Sequence, residues 1–297
     1  MNIETLDLLR EALPYIQRFK GKTFVVKFSG KVTEEKATLI SLAEELALLH
    51  QVGIRVCVIH GGGKQLTELA KKLGVVQTVV EGRRVTDDDT LDLAKMIFRG
   101  KINTEILSAL RHRGVEAVGL SGIDGGVIKA VRRPPKEVVV DKATGETEEV
   151  DFGHVGDIVD VDVHLVNLLL DGGYLPVISS LGADDEGKIY NINADTIAAE
   201  IAVSLKAEKL LLLSDVNGIY ADPNDESTKI NRLTSEEAAA MITDGTATGG
   251  MIPKLQNLNS LLQRGVHSAH IMSGSMRNAI LSEVFTDEGT GTMLVAE

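Results

Sequence analysis

Apolar and polar positions along the chain follow two alternating periods. Residues 2–19 (NIETLDLLREALPYIQRF) place Ile3, Leu6, Leu9, Leu13 and Ile16 at helical spacing, with Pro14 set to kink or interrupt the helix. This segment precedes the first strand and belongs to no β–α unit. Its apolar stripe needs cover, from its own domain or from another subunit. From residue 23 the periods alternate. Strands are expected at Thr23–Phe28, Arg55–Ile59 and Val115–Leu120, and helices at Glu34–Gln51 and Lys64–Leu73, with one long helix or two over Asp87–Arg113. Apolar strands separated by helices predict an α/β fold: a three-layer αβα sandwich around an open, mainly parallel sheet.

The pattern changes between Val127 and Gly153, where VIKAVRR and EVVVDKATGETEEVDF read as β-hairpins turning near Lys142–Gly145. Alternation then returns, with a helix at Val161–Leu170, a strand at Tyr174–Ser179, a polar turn at Asp184–Gly187, a helix at Thr196–Leu205 and a strand at Leu210–Leu213. Helices at Ser235–Ile242 and Pro253–Arg264, a strand at Ala269–Met272 and a short strand near Thr292–Val295 follow. A polar stretch at Ala194–Thr196 separates two β–α blocks. The expected division is therefore an N-terminal helix (1–20), a first lobe (21–194) and a second lobe (195–297).

Composition narrows the function classes. The 297 residues are 43% hydrophobic and 25% charged, as in an ordinary globular protein, and the net charge of −12 argues against a general nucleic-acid binder, without excluding a local site for an anion. Cys57 is the only cysteine and lies in an apolar run, which leaves no disulfide and no thiolate metal site. No apolar segment reaches bilayer length, and Met1-Asn2-Ile3-Glu4 lacks the basic start of a signal peptide, so the expected location is cytoplasmic.

Three glycine-bearing loops follow strands: KFSGK (Lys27–Lys31), HGGGK (His60–Lys64) and SGIDGG (Ser121–Gly126). In an open parallel sheet they fall on one rim, facing helix N-termini whose free N–H groups suit an anion such as phosphate. Neither common phosphate fingerprint fits. The P-loop pattern fails at Val58 and Gln65, and no G-x-G-x-x-G follows the first strand. Lys27 ends an apolar strand, where an ammonium must reach the rim or a partner. Lys254, in ATGGMIPK, begins a helix where a cation is normally disfavoured unless an anion binds there. Asp195 in NINAD reads as an N-cap or as a carboxylate that holds lysines across the site. Arg84 in GRRVT has the fork that grips a carboxylate.

Taken together, these pieces resemble the amino-acid kinase superfamily and, within it, the acetylglutamate kinases. KFSGK, VIHGGGKQL, GRRVT, VGLSGIDGG, GHVGD, LPVISSLG, YNINADT, LLLLSDVNGIYAD, GGMIPK and FTDEGTGTML occur in the family's order over essentially the whole chain. The resemblance implies ATP-dependent phosphorylation of the γ-carboxylate of N-acetyl-L-glutamate, the second step of arginine biosynthesis. It implies catalytic roles for Lys27, Lys254, Asp195 and Gly30, and contacts to acetylglutamate from Gly62, Gly63, Arg84 and Asn191. Asp215, Val216, Asn217, Gly218, Ile219 and Tyr220, with Thr246, Ala247 and Thr248, would line the adenine-nucleotide pocket. Mg²⁺ would ride on the phosphates and keep its waters, without a protein cage. Ser29, Ile123, Lys64 and Ser273 depart from the family's usual residues, and none removes an expected catalytic group.

REALPYIQRFKGK before the first strand resembles the arginine-inhibited branch, in which such helices interlace dimers into a hexamer, a trimer of dimers. The matching effector positions are Tyr15, Lys209, His270, Glu283 and Gly289. By residues alone, His270 reads as a packed strand histidine. A PII-type signalling protein docks on some relatives. Rival readings are a same-fold aspartate, carbamate or uridylate kinase, and a non-catalytic arginine-binding sensor that kept the scaffold.

Overall fold

The structure, a computed structural model, describes residues 3–80, 83–141, 146–222, 225–247, 251–287 and 289–297; at 3–9, 31, 139–141, 146, 253 and 254 only the backbone is described. Eight strands form one sheet: β1 (Thr23–Phe28), β2 (Arg55–His60), β3 (Ala117–Ser121), β4 (Leu175–Ser179), β5 (Lys209–Ser214), β6 (Arg232–Thr234), β7 (Ser268–Ser273) and β8 (Thr292–Val295). Their spatial order is β6-β8-β7-β5-β1-β2-β4-β3. The six strands from β7 to β3 run parallel, β8 is antiparallel to β7, and β6 is parallel to β8. The expected mainly parallel sandwich is the observed one.

Ten helices accompany it among the described residues: α1 (Ile3–Phe19), α2 (Lys36–Gln51), α3 (Gly63–Leu73), α4 (Asp88–Ala94), α5 (Asn103–His112), α6 (His164–Asp171), α7 (Ala194–Ser204), α8 (Ser235–Thr243), α9 (Met251–Gln263) and α10 (Ala279–Phe285). Strand alternation sorts the core into two layers. Phe24, Val26, Phe28, Val56 and Val58 pack with residues of α2, α5 and α10. Val25, Cys57, Ile59 and Leu210 pack on the opposite face with residues of α6, α7 and α9. Lys27 shares the Val25 face by the same alternation, so it points to the layer that holds α7.

Some elements differ from the sequence reading. Residues Gly156–Val161 form a strand paired with Ile128–Arg132 in a four-stranded side sheet, and the helix expected from Val161 begins only at His164. The segment Asp88–His112 is helical throughout, but Lys95–Ile102 between α4 and α5 is π-helical, a rare local widening. α7 starts two residues early, at Ala194, so the lobe boundary expected from the sequence would fall in its first turn. The turn of the second hairpin, near Lys142–Gly145, lies outside the described residues. Among the described residues no helix is long and apolar enough to cross a membrane.

Candidate active site

The rim at the C-terminal ends of the parallel strands gathers most of the expected residues. Lys27 is buried, and its Nζ lies 2.7 Å from Oδ1 of Asp195 in the first turn of α7. Asp195 is free for that contact because another side chain caps the helix. Asn193 Oδ1 accepts the N–H groups of Asp195 at 2.7 Å and Thr196 at 3.4 Å. The capping alternative for Asp195 is thereby corrected in favour of Asn193. A cavity of about 330 Å³ opens beside the pair, between α7, α9 and β5, with Asn193, Ser214, Leu258 and Leu261 in its wall.

On the same rim, two glycine loops from the adjacent strands β1 and β2 approach too closely for side chains. A Cβ on Gly30 would lie 2.8 Å from Gly62 Cα and would collide with the Gln65 amide. A Cβ on Gly62 would meet Phe98 Cδ1 at 2.7 Å and also strike Ile102, both from the π-helical turn. Gln65, in the first turn of α3, ties the first loop down: its Nε2 donates to the Gly30 carbonyl and, at 2.9 Å, to Thr33 Oγ1. Gln65 is a structural anchor that motif reading passed over, although it stands two residues after the glycines. α7 reaches the second loop as well, since a Cβ on Gly61 would sit 3.4 Å from that of Ala194.

The third glycine loop plays a different part. It follows β3, with β4 lying between β3 and β2, which puts it about 10 Å along the sheet from the HGGG loop. A Cβ on Gly122 would strike the Leu181 carbonyl and meet Ile128 Cβ at 2.5 Å, so this glycine serves packing.

Arg84 arrives on a two-stranded hairpin (Val79–Val80 with Arg83–Arg84), and its Nη2 donates to Gly63 O at 2.7 Å and to Thr67 Oγ1 at 2.6 Å. Its Nε is buried without a partner, an unused donor of the kind a carboxylate ligand satisfies. Asn191 Nδ2 donates to Thr86 Oγ1 at 3.2 Å, and the Asn191 N–H to the His154 carbonyl at 2.8 Å. The GHVGD loop is thus joined to the same wall.

Asp215–Tyr220 leave the end of β5. Ile219–Tyr220 pair with Lys229–Ile230, Gly218 adopts φ 142°, and the Ile219 N–H donates to Thr292 Oγ1 at 2.8 Å. Asp215 lines a smaller cavity of about 100 Å³ with Val32, Ser214 and Gly274. The Thr246 N–H donates to Asp244 Oδ1 at 2.9 Å, and Ala247 is buried. None of these residues lines the larger cavity beside Lys27. Thr248 lies outside the described residues; Lys254 is in the first turn of α9, and its side chain is among those not described.

The expected effector positions also meet, on the other side of β5. Lys209 Nζ donates to His270 Nε2 at 3.0 Å, and His270 Nδ1 to Glu283 Oε1 at 2.7 Å. Glu283 Oε2 accepts the N–H groups of Thr290 at 2.7 Å and Gly291 at 2.9 Å. Burial lowers the His270 pKa to about 4 and that of Lys209 to about 8. Glu283 falls to about 2: burial would raise it, but the His270 bond and the backbone donors outweigh burial. Lys209 Nζ also lies 5.2 Å from the centre of the Phe19 ring at the end of α1. Gly289 adopts φ 60°, with Glu283 Oε2 2.7 Å from where its Cβ would be. Tyr15 Oη donates to Asp287 Oδ1 at 2.5 Å, which ties α1 to the segment before Gly289. His270 is thus a buried strand histidine, as expected, and also the centre of an ionic chain.

A lysine held by a carboxylate at a sheet rim, on which two backbone loops leave no room for side chains, is an arrangement suited to phosphoryl transfer. Residues 22–273 match the amino acid kinase family. The chain belongs to that family, in its acetylglutamate kinase branch. It is 44% identical to the acetylglutamate kinase of Methanocaldococcus jannaschii over 99% of this chain and 97% of that protein. It is likewise 44% identical to that of Symbiobacterium thermophilum over 99% and 100% of the two chains. Among solved structures it resembles N-acetylglutamate synthase from Neisseria gonorrhoeae complexed with coenzyme A and N-acetyl-glutamate, with TM-score 0.81 and 30% identity. That match covers 98% of this chain and 63% of the synthase. Carbamate kinase from Giardia, at 18% identity and TM-score 0.65 over 93% of this chain and 99% of the other, shares the fold.

Proposed function

We infer that the chain transfers the γ-phosphoryl group of ATP to the γ-carboxylate of N-acetyl-L-glutamate, giving N-acetyl-L-glutamyl 5-phosphate for arginine biosynthesis. The observation that carries this reading is the Lys27–Asp195 pair on the same sheet rim as the closely packed glycine loops at Gly30 and Gly62. Full-length similarity to acetylglutamate kinases supplies the acceptor.

The acceptor carboxylate is already ionised at neutral pH and is itself the nucleophile, so no general base is required. The work of the protein is to align two anions and to offset their charge. Lys27 provides a cation where charge spreads over the transferred oxygens, and Asp195 keeps it aimed. The N–H groups of Gly30 and Gly62 act as donors to the same oxygens, and Lys254 acts from the nucleotide side. The free Nε of Arg84 receives the α-carboxylate of the acceptor, with Gly63 and Asn191 completing its seat. Mg²⁺ carried on the ATP phosphates would neutralise part of their charge. The adenine nucleotide lies against Asp215–Tyr220 and Thr246–Thr248, in the half of the molecule after residue 194.

Arginine is the proposed feedback inhibitor, bound where Lys209, His270, Glu283 and Gly289 meet the end of α1. A related synthase, 28% identical with TM-score 0.78 over 98% of this chain and 65% of its own, is described in complex with coenzyme A and L-arginine. Leu13 on α1 is 49% exposed. We assign α1 to a contact between dimers in a homohexamer, with a PII-type protein as a candidate regulator. ADP release with Mg-ATP and N-acetyl-L-glutamate tests the activity, against glutamate, aspartate and carbamate, with arginine titrated in. Turnover confined to acetylglutamate and falling with arginine is expected. Arginine binding without turnover would leave a sensor on a kinase scaffold.

A further inference from the structure

We propose that His60 is a positioning residue that sets the plane of the Gly61–Gly62 peptide and so holds the Gly62 N–H toward the transferring phosphoryl group. The proposal rests on the phosphoryl-transfer reading of the site given above.

His60 ends β2 and is fully buried. Its two ring nitrogens have separate partners, with Nδ1 3.1 Å from the Gly61 carbonyl oxygen and Nε2 3.1 Å from Asn103 Nδ2. The orientation of the Asn103 amide is fixed independently. Its Nδ2 also lies 3.0 Å from the Val177 carbonyl, which can only accept, and its Oδ1 lies 3.2 Å from Arg99 Nη1, which can only donate. Asn103 therefore donates to His60 Nε2, and the ring proton sits on Nδ1, where it is donated to Gly61 O. Burial lowers the His60 pKa to about 4, so the ring stays neutral and keeps this tautomer near neutral pH.

The Gly61 carbonyl and the Gly62 N–H belong to one peptide unit. No peptide bond among the described residues is cis, and in a trans unit the C=O and N–H point in opposite directions. Drawing the carbonyl toward the buried ring therefore drives the N–H away from it. A peptide between two glycines lacks the side chains that restrict its rotation, so this unit needs an external hold to present one face. Phe98 and Ile102 beneath Gly62 fix where the unit sits, and His60 fixes how it is turned. Arg99, within the π-helical turn, and Asn103, at the start of α5, anchor the ring to β3 and β4: Arg99 Nη2 donates to Gly119 O at 3.0 Å, and Asn103 to Val177.

Two substitutions separate this role from packing. His60→Asn places an amide N–H near the position of Nδ1 and gives up Asn103. His60→Gln reaches Asn103 and withdraws the donor from Gly61. We expect kcat to fall about 10- to 100-fold in His60→Gln, with KM for acetylglutamate within about twofold, and to recover to within about fivefold of wild type in His60→Asn. Thermal melts of both variants set the structural baseline. Equal loss of kcat in the two variants, in step with their melting temperatures, would overturn the proposal. So would the opposite ranking. If the wild-type chain turns over no acetylglutamate, it is the functional reading that fails. Long-range ¹H–¹⁵N spectra of the full chain then decide the orientation: a neutral, Nδ1-protonated His60 is expected, and an Nε2-protonated ring refutes the hold on Gly61.

Discussion

Glu45 and Ile280 are joined across 235 residues of sequence: the Glu45 carboxylate, buried in the middle of α2, accepts the Ile280 N–H at 2.9 Å. The same oxygen accepts Leu281 N–H at 3.3 Å. α10 has no capping side chain of its own, and Asn278 before it sits in the left-handed region at φ 58°. Glu45 takes over that task, and α10 in turn carries Glu283 of the ionic chain. Glu45→Ala should leave these donors without an acceptor and cost about 1–3 kcal/mol in urea unfolding. Burial raises the pKa of Glu45, so the folded state holds a proton there more tightly than the unfolded state does. The stability linked to that form is present at low pH and is lost as pH rises through the raised value. Glu45→Gln removes the titration, so the stability of wild type relative to this variant should fall with rising pH across the carboxylate range.

Asp195→Asn should leave the fold intact and lower kcat by about 10²–10³-fold, because Lys27 loses the charge that aims it while α7 keeps its Asn193 cap. ADP release at saturating substrates measures this, and the melting temperature should move by only a few degrees. A kcat loss below about tenfold would remove Asp195 from the site.

Gly30→Ala tests the close approach of the two loops. The added methyl would meet backbone at Gly62 and the Gln65 amide, so the loops must part. A stability loss of about 1–3 kcal/mol is expected, together with loss of most activity. Gly21→Ala is the contrast: a Cβ there meets nothing within 4 Å, and its cost comes only from the φ of 77°. It should spare turnover.

Arg84→Lys keeps the charge and removes the fork. Acetylglutamate KM should rise about 10- to 100-fold while kcat changes little, as expected for a group that binds ground and transition states alike. Equal losses in kcat and kcat/KM would instead put Arg84 at the reacting atoms.

On the acid side, buried His60 and His270 both have pKa values lowered to about 4 from an ordinary 6.5. In the folded state they bind fewer protons than when unfolded, so stability is full above about pH 6.5 and is lost as pH falls toward 4. Glu283, lowered to about 2, adds a loss below its unfolded value of 4.5. Urea midpoints should therefore drop steeply from pH 6.5 to 4, and His270→Gln should flatten that slope.

Much of this was legible because the signals are local. Thr23–Phe28 and Thr292–Val295 are strands at the residues where apolar runs predict them. Lys27 at a strand end and the glycines after it mark the rim without help from elsewhere. What escaped depends on distant partners. α10 is a seven-residue helix whose cap comes from Glu45, so no start signal stands beside it. Gly156–Val161 alternates too weakly to be told from the helix that follows, and its strand state is set by pairing with Ile128–Arg132. The π-helical turn has no sequence signature, yet it delivers Phe98 and Ile102 to the HGGG loop and sets Asn103, the first residue of α5, beside His60. SGIDGG looked equivalent to the other two loops; strand order, which one sequence does not disclose, sends it to a packing role.

The strand order also sets a schedule for synthesis. β1 lies at the centre of the sheet, yet one of its two neighbours, β5, emerges from the ribosome roughly 180 residues later. At typical elongation rates the β5-facing edge of β1, with Lys27 at its end, stays unpaired for about 10–40 s. A nascent chain that has made β1 and β2 but not β5 presents an open, apolar strand edge, the template for pairing with other chains. Slow codons or a stall between residues 60 and 209 should therefore lower soluble yield more than the same delay placed after β5.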